Sequence, residues 1–147
     1  MIGLMYPVNK ENTEDAEIMK KVYSVGTSNL TIDAFYDKLV DNNIQTLVDV
    51  RSYPTSRYSH FKQENLTAFC LNHDIEYLWM GDILGGYQDI PFKEYAKTEL
   101  FDDGIVKIRE FADTRNIVIC CSERDYKKCH RRYIAKALKD DYNIIHV

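Results

Sequence analysis

The sequence predicts a three-layer α/β protein of Rossmann-like or flavodoxin-like type, a single domain built on a mostly parallel sheet of about five strands. Two observations carry this prediction. Short apolar runs rich in Val, Ile and Tyr alternate with segments whose apolar residues recur at helical spacing, the pattern of strand, crossover helix and next strand. The 147-residue length, with 45% hydrophobic and 29% charged residues, suits one ordinary core that needs neither disulfides nor metal to hold it.

Residues 1–21 are polar and aperiodic and read as an extension ahead of a domain spanning 22–147. Residues 22–25 form the first strand, ended by Gly26-Thr27-Ser28-Asn29. Thr31 then caps a helix whose Ile32, Phe35, Tyr36, Leu39 and Val40 share a face. Residues 46–50 make the second strand, followed by a loop from Arg51 to Lys62 and a helix turning Leu66, Phe69 and Cys70 inward. A short third strand covers 76–79. The long connection after it contains Gly85-Gly86, a short helix near 92–99 and a better one near 103–114. Residues 117–121 are the fourth strand, Arg131, Ile134, Ala135 and Leu138 stripe the last helix, and 143–147 close as a fifth strand.

No stretch approaches the roughly 20 apolar residues of a membrane span, and the N-terminus lacks the order of a signal peptide, so a cytoplasmic protein is expected. Cys70, Cys120, Cys121 and Cys129 lack the spacing of a disulfide framework and are expected to be reduced. A net charge of −4 disfavours a surface that tracks nucleic acid, although Arg124, Lys127, Lys128, His130, Arg131 and Arg132 form a local basic cluster.

In a parallel sheet, the segments that follow the strands lie on one edge, where ligands bind. That edge gathers Ser28 and Asn29 after the first strand, and Asp49, Arg51, Ser52 and Arg57 at or after the second. Gly85 and Gly86 follow the third, and Cys121 and Glu123 the fourth, with Cys129, His130 and Arg131 opening the last helix. One cleft is expected. Arg51, Arg57 and Arg131 together suit a phosphate or carboxylate held by bidentate bonds, and the alternative for Arg51 is a structural pair with Asp49 or Glu123. Glu123, with Asp49 as partner, is the candidate general acid or base; its alternative is an ionic anchor for Arg131. Cys121 at a strand end and Cys129 in the first turn of a helix beside His130 suit a reactive thiol or a redox pair, although adjacent helical residues diverge by about 100°. The alternative is plain packing, which is the expectation for Cys70 and Cys120. Gly85 and Gly86 read as a turn or the start of a lid.

No metal and no cofactor is expected: Cys-x7-Cys-His matches no zinc spacing, and neighbouring Cys129 and His130 should have difficulty sharing an ion. A Cys-x5-Arg phosphatase loop is excluded by Lys127 and Tyr126, and no P-loop Lys-Ser/Thr follows Gly85-Gly86.

Five segments in order resemble the motifs of the DUF488 family, a domain of unknown function: Tyr23-Ser-Val-Gly26-Thr-Ser28-Asn29; Val48-Asp49-Val-Arg51-Ser-Tyr-Pro54-Thr-Ser-Arg57; Leu84-Gly-Gly86; Phe92-Lys-Glu-Tyr95; and Cys121-Ser-Glu123 with Cys129-His130-Arg131. The resemblance runs from about Val22 to Val147 and implies a small prokaryotic α/β protein, without implying an activity. Thr27, Ser122 and Tyr126 stand where that pattern usually has histidine, alanine and proline, which removes one potential base at position 27.

Three functions are therefore open. The favoured one is an enzyme, a hydrolase or transferase, on a phosphorylated or nucleotide-like anion. The others are thiol chemistry at Cys121 and Cys129, and a non-catalytic module binding a nucleotide or nucleic acid. Oligomeric state is not set by the sequence.

Overall fold

The computed structural model describes residues 19–147, in which five parallel strands form one sheet in the order β3-β2-β4-β1-β5. The strands are β1 (Lys20–Gly26), β2 (Thr46–Asp49), β3 (Glu76–Trp79), β4 (Ile117–Cys121) and β5 (Tyr142–His146). The helices are α1 (Ile32–Asp41), α2 (Gln63–Asn72), α3 (Gly81–Leu84), α4 (Phe92–Tyr95), α5 (Glu99–Thr114) and α6 (Arg131–Leu138). The fold is thus the expected three-layer α/β arrangement, with every strand pairing parallel. Residues 1–18, most of the proposed extension, lie outside the described residues; Lys20 and Lys21 belong to β1 and pair with Tyr142 and Asn143.

Strand alternation sorts the interior into two cores. On one face Val22, Val48, Ile117, Ile119 and Cys121 pack against Leu84, Ile105, Ile108, Ile134 and Leu138 from α3, α5 and α6. On the other, Tyr23, Val25, Leu47, Val118 and Cys120 meet Phe35 and Leu39 of α1 and Leu66 and Cys70 of α2. Cys120 and Cys121, neighbours in sequence, therefore belong to different layers.

The long connection is more helical than its sequence suggests. Thr98 caps α5 by accepting a hydrogen bond from the Phe101 N–H at 3.3 Å, so the helix starts at Glu99 and not near 103. Gly104 interrupts the apolar pattern for a packing reason: a Cβ there would lie 2.8 Å from side-chain carbons of Ile83 and Leu84. This close approach seats α3, a one-turn helix that the sequence reading leaves as loop, against α5. Among the described residues no helix is long and apolar enough to cross a membrane.

Candidate functional site

The carboxyl edge of the sheet carries two hollows where the sequence suggests one cleft. The larger, of about 570 Å³, lies on the α5–α6 side and is lined by Ser52, Gly86, Cys121, Glu123, Cys129 and His130 among others. The smaller, of about 380 Å³, holds Ser28, Asn29 and Arg57, with Ser122 on the rim of both. The cause is the alternation of β2 and β4, which points Asp49 and Cys120 to one face and Cys121 to the other.

Asp49 is fully buried and fully engaged. Its Oδ1 accepts from Arg51 Nε at 2.9 Å and from the Arg51 backbone N–H at 3.2 Å; its Oδ2 accepts from Arg51 Nη2 at 2.8 Å and from the Tyr77 hydroxyl at 2.6 Å. Arg51, 3% exposed, gives its remaining Nη1 to the Phe61 carbonyl at 2.7 Å. Burial alone would lower the Arg51 pKa, but the hydrogen bonds and charge of Asp49 outweigh it and hold the guanidinium further into its charged form. Burial and the Asp49 charge push the Tyr77 hydroxyl and the Cys70 thiol up, the latter to about 12. Arg51 and Asp49 are thus the structural pair weighed as an alternative, and their polar groups brace the Arg51–Phe61 loop.

Arg131 is also buried, at 2% exposure. It donates to the Ser24 hydroxyl through Nη1 and to the Glu123 and Arg124 carbonyls through Nη2. The three arginines are therefore not gathered: Arg51 borders the larger hollow with its guanidinium turned to Asp49, Arg131 is buried against Ser24 and the loop after β4, and Arg57 alone stays exposed, over the Tyr58 ring. The Glu123 carboxylate does not pair with Arg131. Glu123 Oε1 accepts from the Asp125 N–H at 3.0 Å and closes the turn after β4, its side chain exposed at the hollow's edge. In the smaller hollow Asn29 Oδ1 accepts from Arg124 at 2.6 Å, and Ser28 sits at φ 44°. Gly85 ends α3 so close to Ser52 that a Cβ would lie 2.1 Å from its Oγ, which makes this glycine a packing requirement. Ser52 Oγ accepts from the Tyr87 N–H at 3.0 Å.

The thiols give the geometry its chemistry. Cys129 does not lie in the first turn of α6 but just before it, with extended backbone at φ −121° and ψ 153°, and His130 is the residue that leads into the helix. This one-residue offset removes the helical divergence expected between them. Cys129 Sγ lies 3.2 Å from Cys121 Sγ and 3.5 Å from His130 Nδ1; Cys121 Sγ lies 3.9 Å from the same nitrogen. His130 Nε2 is 3.0 Å from the Val50 carbonyl, an acceptor only, so Nε2 carries a proton and Nδ1 faces the sulfurs. Phe92 packs on the imidazole, ring centroids 5.3 Å apart.

The Arg131 N–H, a free donor at the start of α6, points at Cys129 Sγ at 3.4 Å. The Cys129 pKa is lowered by the hydrogen bond from Cys121, against the cost of burial, and then by His130 and the Arg131 N–H. Cys121 is raised, by its bond to Cys129 and by burial. The pair therefore gives up one proton easily and keeps the second, and the thiolate rests on Cys129, nearer the imidazole and the backbone donor.

Cys121, Cys129 and His130 also place three potential metal-ligand atoms within 4.8 Å of one another, so the difficulty expected for Cys129 and His130 in sharing an ion does not arise from their positions. A tetrahedral zinc would set sulfurs about 3.8 Å apart and sulfur and nitrogen about 3.5 Å apart. The sulfur–nitrogen distances of 3.5 and 3.9 Å come close, but the sulfurs, at 3.2 Å, stand too near each other. Their spacing is that of thiols in contact.

The Tyr53, Tyr87, Phe92 and Tyr133 rings and the cations Lys93, Lys128 and Arg132 complete the larger hollow. Lys128 and Arg132 belong to the basic cluster noted in the sequence. Phe92 and Lys93 come from a connection whose path no local pattern fixes, and Tyr77 reaches Asp49 only through the β2–β3 register.

Fold and site together define a parallel α/β protein with a paired-thiol pocket at the end of a central strand. Residues 31–138 match the family model of the domain of unknown function DUF488, and the chain belongs to that family. No curated protein and no solved structure matches it.

Proposed function

We propose that the protein is a thiol-dependent enzyme whose reaction is thiol–disulfide exchange in the larger hollow. One observation carries this reading: two sulfurs 3.2 Å apart share one imidazole whose far nitrogen is fixed on the Val50 carbonyl. The Cys129 thiolate attacks a substrate disulfide R–S–S–R, forming a Cys129–S–S–R mixed disulfide and releasing one R–S⁻. Cys121 then loses its proton to His130 or water and attacks the Cys129 sulfur. The second R–S⁻ leaves, and a Cys121–Cys129 disulfide remains, two electrons having passed to the substrate. An external thiol reductant returns the pair to its starting state. The contact distance favours this second step, since closing a disulfide at about 2.05 Å needs the sulfurs to approach by little more than 1 Å.

The reading of a phosphorylated or nucleotide-like anion held by three arginines has less support, because two of those guanidinium groups are buried and hydrogen-bonded to the fold. A general acid or base role for Glu123 and Asp49 has the same difficulty, one carboxylate closing a turn and the other being buried against Arg51.

The test is alkylation by iodoacetamide with mass-spectrometric site assignment between pH 5 and 9, on wild type, Cys129→Ser and Cys121→Ser. Cys129 should react at pH 6 far faster than an unperturbed thiol, and mild oxidation should join Cys121 to Cys129. Alkylation that is no faster than for a free thiol at pH 6 and unaffected by Cys129→Ser sinks the reading.

A further inference from the structure

We infer that the substrate disulfide is a small molecule bearing carboxylates, and not a disulfide on the surface of another protein; this rests on the thiol reading above. Three features of the hollow point to it. Cys121 and Cys129 are each only 7% exposed, so the sulfur that attacks is recessed behind the mouth. Tyr53 and Tyr87, 70% and 77% exposed with ring centroids 5.4 Å apart, form part of that wall. The space of about 570 Å³ is that of a site for a small ligand.

The charge of the lining selects among small ligands. Lys93 on α4, Lys128 immediately before Cys129, and Arg132 on α6 contribute cations to this hollow. Arg132 is held in place by its bonds to the Lys127 carbonyl and the Tyr133 hydroxyl, both 2.9 Å. Against them stands one carboxylate, Glu123, already closing its own turn. Arg51 is neutralised by Asp49 beneath the floor. A negatively charged disulfide entering this space meets net attraction before any bond changes, and the R–S⁻ that leaves departs past the same cations. A positively charged disulfide meets repulsion at both steps.

The experiment ranks three disulfides of similar size and different charge: 3,3′-dithiodipropionate (dianion), 2-hydroxyethyl disulfide (neutral) and cystamine (dication). Each is mixed with reduced full-length protein at pH 7. The loss of Cys129 thiol is followed by mass spectrometry, and every rate is divided by that of a free small thiol with the same disulfide. The dianion should lead the dication by about ten-fold at low ionic strength, and the ratio should fall toward one in molar salt. Lys93→Glu with Lys128→Glu should bring the ratio below one, while Lys107→Glu with Lys139→Glu, outside the hollow, should leave the dianion ahead.

Equal normalised rates for all three, a lead for cystamine, or a faster reaction with a disulfide-bonded polypeptide each overturns the inference and leaves the thiol reading standing. Failure of every disulfide to outpace its reaction with the free thiol overturns both.

Discussion

Replacing His130 by alanine removes the imidazole from both sulfurs, and the structure allows its effect on Cys129 to be worked out. With Nδ1 and Sγ 3.5 Å apart, an imidazolium and a thiolate attract by about 5 kcal/mol at an effective dielectric of about 20 and about 1 kcal/mol at that of water. Cys129 is buried and the His130 ring partly exposed, so a middle value near 3 kcal/mol applies, equivalent to about two pKa units. The sign follows from the direction of the shift. Cys129 is depressed in the folded protein and holds its charge to low pH; without His130 its titration moves up, and thiolate disappears sooner as pH falls.

A more basic thiolate is also a better nucleophile, by about six- to ten-fold for two pKa units. The His130→Ala profile should therefore cross that of the wild type, losing its reactivity first as pH falls and running about six-fold faster on its alkaline plateau. Iodoacetamide alkylation followed from pH 4 to 10, with circular dichroism to establish that the variant is folded, measures both limbs. Superimposable profiles would refute the thiolate–imidazolium pairing, and a uniform slowing at every pH would show that His130 acts only through packing.

Asp49→Asn leaves the buried Arg51 charge without its counterion and should cost about 3 to 5 kcal/mol in urea unfolding, a loss under about 1 kcal/mol being incompatible with the pair as described. Gly26→Ala puts a Cβ 1.9 Å from the Glu123 carbonyl oxygen, so the loop after β4 must move. It should destabilise by about 1 to 3 kcal/mol and should also shift the Cys129 alkylation profile, since that loop shares Arg131 with the thiol site. An unaltered profile in a destabilised variant would separate the two.

The layers, strands and family were legible because they rest on local periodicity and on motifs that survive in one dimension. Ile117–Cys121 reads as a strand at sight, but its neighbours in the sheet, β1 and β2, are not its neighbours in sequence and had to come from the structure. The site was legible as a set of residues and not as an arrangement. Whether Cys129 and His130 meet depends on one residue of helix start, a boundary that sequence patterns leave uncertain. Whether Asp49 and Cys121 share a cleft depends on strand parity across β2 and β4. That parity can be read from the alternation of Leu47, Val48, Asp49 and Val50 against Val118, Ile119, Cys120 and Cys121 once the pairing Asp49↔Cys120 is known. The partners of the arginines were not legible, because a guanidinium near a sheet edge serves backbone carbonyls as readily as anions, and sequence does not distinguish the two.

The sheet order has a consequence for how the molecule comes into being. β1 and β2 never touch as partners; they are joined only by β4, which pairs with both. A ribosome releasing this chain therefore delivers two strands well before the one that unites them. Until β4 slots between its elders, the growing polypeptide has no continuous sheet, and the core that Cys70 shares with Val118 and Cys120 is incomplete. The strand that ends in Cys121 is also the keystone, so the thiol pair can form only after the two halves of the sheet have been joined.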